Sequence, residues 1–258
     1  PALSQGMIEQ WMKELSNWGR WGTDDQRGTL NLITPAKRKQ AAGLVKEGIS
    51  VSLSLDMVLQ ETPFAPKPLK HDIYYGTVPG ADFVLDTLTI SYHGYAHSHL
   101  DALNHMSYKE KAYNGFPLSD VKATNGHTLG IQQMKNGIVS RGVLMDIPKL
   151  RGVPYLEFGD VITIDDLAAW EQQSGIMVGR GDVLLIRTGR WARQQKHGQW
   201  NARENLVGFH PSVAKWLKAR DVAALGCDGV GDTYPSGIEG LADPFHILAL
   251  VALGMPLF

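Results

Sequence analysis

Four of the nine histidines, His93, His97, His99 and His105, fall within thirteen residues, with Asp101 between the third and the fourth. Neutral imidazoles beside a carboxylate suit zinc, manganese or iron, and a site of that kind can activate water. A buried core has no use for such a cluster, because every ring taken out of water needs a hydrogen-bond partner. The expectation is therefore a metal centre built on residues 91–105.

Backbone geometry limits how those residues can converge. A straight strand puts His97, His99 and Asp101 on one face, but at about 3.3 Å per residue the ends stand roughly 13 Å apart. Bonds of about 2 Å cannot span that gap. A continuous helix would align residues 93, 97, 101 and 105 and leave out His99. The favoured compromise is a strand that bends or bulges near residues 94–98, after which Asp101 caps a short helix beginning at Ala102. His99 and Asp101 are common to this arrangement and the straight strand, so they are the firmest ligands. His97 or His93 supplies another.

Elements that could present this stretch are visible on both sides. Apolar residues at helical spacing over residues 6–18 predict a docking helix. Trp18 and Trp21 beside glycines in a polar loop either wall a pocket or cover a core edge. Thr34-Pro35 starts a second helix that Gly48 ends. Alternation of Val51, Leu53, Leu55 and Met57 with Ser and Asp predicts a half-buried strand over residues 50–57. Residues 59–82 read as a long, proline-rich loop, and residues 83–92 as a strand running into the cluster.

Further on, residues 137–147 read as a strand, and Thr163 with Asp166 as a capping box opening a helix that stops at Gly175. The apolar run Val183-Leu184-Leu185-Ile186 predicts a strand buried on both faces, delivering Arg187 at its C-terminal end. Residues 190–207 are polar and Trp-dotted, and read as a loop. Pro211 opens a helix, residues 222–226 form a strand, and residues 245–258 read as buried core. With no internal repeat and no linker, the expectation is one α/β domain with a mixed sheet over residues 1–258, with residues 1–48 as an N-terminal helical arm.

Composition narrows the function classes. The 258 residues carry a formal net charge of −1, with 43% hydrophobic and 20% charged residues. That balance gives no field to gather nucleic acid or an anionic membrane surface. The single Cys227 excludes an internal disulfide, and no apolar run reaches spanning length. A cytoplasmic setting is the expectation. A Ser or Cys hydrolase is disfavoured, since no Gly-x-Ser-x-Gly elbow occurs and nothing around Cys227 marks it as reactive. Residues 227–232 carry neither a Gly-x-Gly-x-x-Gly motif nor a P-loop.

His99-Leu100-Asp101-Ala102 followed by His105 resembles the His-x-Asp-x-x-x-His core of the cyclase family of metal-dependent hydrolases, which includes bacterial kynurenine formamidase and isatin hydrolase. Trp21-Gly22-Thr23-Asp24-Asp25, Gly181 to Gly189, Gly208-Phe209-His210-Pro211, Gly226-Cys227-Asp228 and Pro244-Phe245-His246 are similar to segments of that family, in consistent order. The resemblance implies a swivelling β/β/α fold and a homodimer or homotetramer. It also implies hydrolysis of an amide, imide or lactone-type bond in a small cyclic or aromatic substrate. The family's ligand motif places histidine where this chain has Tyr95, so His97 or His93 takes over, and a single divalent metal, zinc or manganese, is expected.

Under that implication His105 is general base and then acid, and His246 donates to the oxyanion or the leaving group, unless it is a core histidine at a helix start. His210 is a helix cap or a pocket residue, the cap being favoured. Arg187 holds a substrate carboxylate or pairs with Asp228 or Asp182. Trp18, Trp21 and Trp191 are candidates for an aromatic wall. The Tyr95 departure sustains one rival: a non-catalytic protein that keeps the fold and a structural metal and binds a ligand or partner.

Overall fold

The structure, a computed structural model, describes residues 3–258. They divide into two compact units: residues up to Gly48 with Leu100–Gly198 and Arg203–Phe258, and Ile49–His99 with Gln199–Ala202.

In the first unit, α1 (Gln5–Glu14) is capped by Ser4, whose Oγ accepts from the Met7 N–H at 3.3 Å. Its apolar stripe buries Ile8 and Trp11. Helix α2 (Pro35–Ala42) begins as its Thr34-Pro35 signal requires. It ends at Gly43, five residues short of the predicted Gly48, because Gly43 already closes on the Lys39 carbonyl.

The second unit contains a hairpin of β1 (Lys70–Val78) and β2 (Ala81–Thr89). Tyr75 faces Val84 and Gly76 faces Phe83 across the pair. A Cβ on Gly76 would lie 2.3 Å from the Phe83 ring, so the glycine makes room for that ring. Two sequence expectations are corrected here. Residues 59–82 are not one loop, since β1 lies inside them. Residues 50–57 pair with no strand among the described residues and are exposed.

The chain then returns to the first unit with α3 (Leu118–Ala123), β3 (Gly142–Asp146), α4 (Ile147–Arg151), β4 (Val161–Ile162) and α5 (Ile164–Ser174). Thr163 and Asp166 form the expected capping box of α5, and Gly175 ends it in the left-handed conformation with φ 68°. Next come β5 (Val183–Arg187), α6 (Arg190–His197), β6 (Gly208–Phe209), α7 (Val213–Ala219), β7 (Ala224–Cys227) and α8 (Pro244–His246). Helix α8 passes directly into a wider, π-type helix, Ile247–Leu253. Residues 190–197 are thus helical, not the expected loop. Glycines at 189 and 198 bracket a run of good helix formers.

Strands β3, β5 and β7 form a parallel sheet with β5 at its centre, and β4 pairs β6 in a second parallel ladder. Parallel and antiparallel pairing therefore occur in separate sheets of a mixed α/β fold. The core between the three-stranded sheet and its helices holds Met145, Leu184, Phe209 and Leu217, and every residue from Ile247 to Leu253 is buried. Close backbone approach fixes that last helix. A Cβ on Gly28 would lie 1.8 Å from the Gly254 carbonyl oxygen, and one on Gly254 would lie 2.3 Å from the Tyr113 ring. Both glycines have positive φ, 56° and 65°.

Beneath the sheet's edge, Asp182 is fully buried and takes Arg141 Nη2 at 2.6 Å and Lys37 Nζ at 2.5 Å. Burial alone would raise its carboxyl; the hydrogen bonds from Arg141 and Lys37 outweigh that and hold it below the usual carboxylate range.

Candidate active site

Asp101 is fixed by backbone before its side chain does anything. Its N–H donates to the Leu257 carbonyl at 2.7 Å, while Ala102 and Leu103 behind it are buried. The next residues make a turn and not the short helix expected from an Asp101 cap: His105 N–H closes on the Ala102 carbonyl at 2.9 Å, and Asn104 N–H is drawn off to Leu129 at 3.2 Å. A turn suffices to bring His105 back over Asp101, with Nε2 3.8 Å from Oδ1.

His246 approaches the same carboxylate from the C-terminal helix, with Nε2 3.7 Å from Asp101 Oδ2. Its other nitrogen, Nδ1, lies 2.5 Å from Asp232 Oδ2. Asp232 also accepts the N–H groups of Phe245 at 2.7 Å and His246 at 3.0 Å. The result is a row His105–Asp101–His246–Asp232, in which the rings of His105 and His246 stand 6.3 Å apart. Burial would lower the His246 pKa, but Asp101 and Asp232 outweigh it and push the imidazolium up to about 10. Both carboxylates thus favour the protonated ring, whose Nε2 faces Asp101.

Asp232 was not singled out from sequence. It comes from the turn after β7, whose Gly231 carbonyl accepts from Phe209 N–H at 2.7 Å. A Cβ at Gly208 would lie 2.3 Å from the Asp232 backbone, so glycine is what admits the turn. The available signal was Asp243-Pro244 opening a helix with His246 in its first turn, which needs an anion at that N-terminus. Asp243 belongs to the same neighbourhood. One oxygen or nitrogen each from Asp232, Asp243 and His246 lies within 4.8 Å of the others, and Tyr234 Oη donates to Asp243.

The remaining histidines of the cluster are in the second unit. His97 is buried, and its Nε2 accepts from the Val58 N–H at 3.2 Å, which commits that nitrogen to the backbone. His99 Nδ1 lies 2.8 Å from the His97 carbonyl, so Nδ1 carries the proton and Nε2 keeps its lone pair. The rings of His93 and His99 meet edge to face at 5.2 Å. Of the expected ligands, His93 and His99 thus stand together, and His97 Nε2 is engaged by Val58.

The other candidates have these neighbours. Trp21 lies under the Arg20 guanidinium at 4.7 Å and Trp191 under that of Arg190 at 4.8 Å. Trp18 Nε1 donates to Val251 at 2.7 Å. His210 lies just before α7, whose N-cap is Ser212: its Nδ1 pairs with Ser212 Oγ at 2.7 Å, and its carbonyl accepts from Val213 N–H at 2.9 Å. Burial lowers its pKa. Arg187 pairs with neither Asp182 nor Asp228 but with Asp146, at 2.9 Å. Asp228 is taken by the N–H groups of Thr188 and Gly189, at 2.6 and 2.9 Å, and Asp182 by Arg141 and Lys37.

The donor chemistry fits a divalent cation. Neutral imidazole nitrogen and carboxylate oxygen, the groups that His99 and Asp101 offer, are ligands that zinc and manganese accept.

A family model, Cyclase, described as "Putative cyclase", matches residues 41–231. The chain belongs to the cyclase family. A crystal structure of a novel cyclase superposes on this cyclase-family chain with a TM-score of 0.82 at 27% identity, covering 95% of this chain and 84% of the other. An isatin hydrolase bound to the product analogue thioisatinate gives a TM-score of 0.50 at 19% identity, covering 80% and 77%. Isatin hydrolase A from Ralstonia solanacearum gives 0.50 at 19%, covering 85% and 81%. The last two likenesses are of fold. No curated protein matches the chain. The family match crosses both compact units, and no described helix of this cyclase-family chain is long and apolar enough to cross a membrane.

Proposed function

We propose that the chain is a hydrolase that cleaves an amide, imide or lactone-type bond of a small cyclic or aromatic substrate with the help of one divalent metal, zinc or manganese. The observation that carries the reading is His246 poised between Asp101 and Asp232 with His105 on the far side of Asp101. Membership of the cyclase family and a fold shared with isatin hydrolases support it.

The metal ligands in this reading are those expected from the sequence, His99 and Asp101 with His97 or His93. When bound, a divalent ion supplies a lowered pKa for water and polarisation of a carbonyl. The protein's own part is proton management. His105, partly exposed beside Asp101, takes a proton from the attacking water as general base. Water adds to the carbonyl carbon, the bond from carbon to nitrogen or ring oxygen breaks, and the leaving atom takes a proton from His246 Nε2. Asp232 steadies that donor by fixing Nδ1–H and its charge. The residues that would bind substrate in this reading are Trp21, Trp191, Arg187 and His210.

The test is a panel of isatins, formyl-anilides, cyclic imides and lactones against protein loaded with Zn²⁺ or Mn²⁺. Ring opening or deformylation that chelation abolishes and added metal restores supports the reading. Turnover that persists in the chelated protein, or none on any substrate of a metal-replete protein, overturns it.

A further inference from the structure

Asn114 holds a backbone conformation that few side chains accept. Its φ is 59° and its ψ 18°, in the left-handed region, and Gly115 after it has φ 80°. Asparagine is among the residues that tolerate this region, but such strain persists only where the surroundings demand it. Here the demand comes from a loop far earlier in the chain. Asn114 Oδ1 accepts the Gly19 N–H at 2.7 Å, and Nδ2 donates to the carbonyls of Gly22, Thr23 and Asp25 at 3.0, 2.9 and 3.1 Å. One side chain thus closes both ends of residues 19–25. Aspartate lacks the donors and serine has a single O–H, so among short side chains the amide alone serves.

The middle of that loop is otherwise lightly held. Residues 22–24 are exposed, and the loop's backbone bonds run three residues back, from Arg20 to Asn17, Gly22 to Gly19 and Asp25 to Gly22. Segments with few buried contacts open at small cost. On either side the anchors are firmer: Arg20 meets Asp221 by two bonds, at 2.8 and 2.9 Å, and Asp25 takes Tyr113 Oη at 3.0 Å. Between them lies Trp21. Its ring packs against the small apolar cluster that contains Ala102, as does Leu100, and those two residues flank Asp101.

We propose that Asn114 is a positioning residue of the active site: by closing residues 19–25 it sets the Trp21 ring beside the Asp101 segment, where that ring meets the substrate. The inference rests on the reading of Trp21 as a substrate contact given above. Asn114 itself touches no reacting atom, so its loss should weaken the binding of substrate and transition state alike.

The test uses the whole chain labelled with 5-fluorotryptophan, the Trp21 resonance being assigned by its absence in Trp21→Phe. Asn114→Gly removes the four bonds and accepts the positive φ. In it the Trp21 signal should shift or broaden, and the amides of residues 19–25 should exchange at least about tenfold faster, the equivalent of one or two hydrogen bonds. On a substrate from the panel, KM should rise by a similar factor with kcat unchanged. Asn114→Asp keeps the bond from Gly19 but turns a carboxylate on three carbonyls; it should loosen the loop likewise, and serves if the glycine variant fails to fold. A Trp21 signal and exchange rates like those of wild type overturn the proposal, as does a loosened loop with KM unchanged or with kcat lowered instead. In the wild type, a Gly19 amide that exchanges as fast as a free peptide overturns it without any variant. Wild-type protein that turns over no substrate overturns the hydrolase reading; the loop readouts, made on the free protein, still decide whether Asn114 holds Trp21.

Discussion

Asp232 and His246 are joined twice, since one carboxylate oxygen meets both the ring Nδ1, at 2.5 Å, and the backbone N–H of the same residue, at 3.0 Å. The second oxygen takes the Phe245 N–H at 2.7 Å. The carboxylate thus sets ring orientation, ring charge and the entry of the last helix together. Asp232→Asn removes the charge that a buried imidazolium relies on. Breaking a buried pair of this kind costs about 3–5 kcal/mol. Denaturant unfolding at pH 7 should show a loss in that range, and an unchanged midpoint would exclude the pairing.

His105 makes a different prediction because it is exposed enough to be dispensable for folding. His105→Gln should leave the unfolding midpoint within about 0.5 kcal/mol of wild type. On a substrate found by the panel, kcat should fall by about 10²- to 10⁴-fold, the usual share of a general base, with bound metal unchanged by elemental analysis. Full turnover in this variant removes His105 from the chemistry.

Acid stability should report Asp182. Its folded pKa is depressed, so the carboxylate stabilises the protein above its unfolded pKa of about 3.9, and that contribution disappears as pH falls through the folded value. Unfolding free energies measured from pH 6 down to pH 2.5 should drop mainly below about pH 4. Asp182→Asn, which leaves Arg141 and Lys37 facing a neutral group, should cost about 3 kcal/mol at pH 7 and flatten that acid limb. An unaltered pH profile in the variant would contradict the assignment.

Gly254→Ala tests the close approach at the end of the last helix. The new methyl meets the Tyr113 ring at 2.3 Å, and φ 65° is costly for alanine. Overpacking and left-handed strain together should cost at least about 2 kcal/mol. Thermal unfolding checks this, and a variant as stable as wild type would mean that the ring moves freely.

What was legible in the sequence was what local chemistry decides. The capping box at Thr163, the proline start at Pro35 and the apolar run of β5 are answered within a few residues, and the structure has all three. The hairpin was hidden because Pro63, Pro66 and Pro68 precede β1 and Pro79 sits in its turn, so one cluster of prolines masked nine proline-free residues. Helix α6 was hidden for the opposite reason, since a polar helix needs no apolar stripe. Residues 50–57 have a strand's pattern and no strand beside them within the described chain, and a pattern does not say whose backbone completes it. Asp101, His105 and His246, which stand out by residue type, lie side by side in the structure. Asp232 does not stand out, because its role depends on the Gly208 approach that brings its turn to the last helix. Arg187 was read by proximity to Asp182 and Asp228, whereas parallel pairing of β3 with β5 sets it beside Asp146.

The bond from Asp101 to the Leu257 carbonyl has a consequence in time. Roughly 150 residues separate the two, and a ribosome adding about 5–20 residues per second needs on the order of ten seconds or more to bridge that interval. Throughout it, the acidic residue at the centre of the histidine row has been made but has no anchor, and His246 does not yet exist for most of it. The nascent chain therefore carries the candidate cluster unassembled while the intervening residues are made, and the row can close only after His246 has been added.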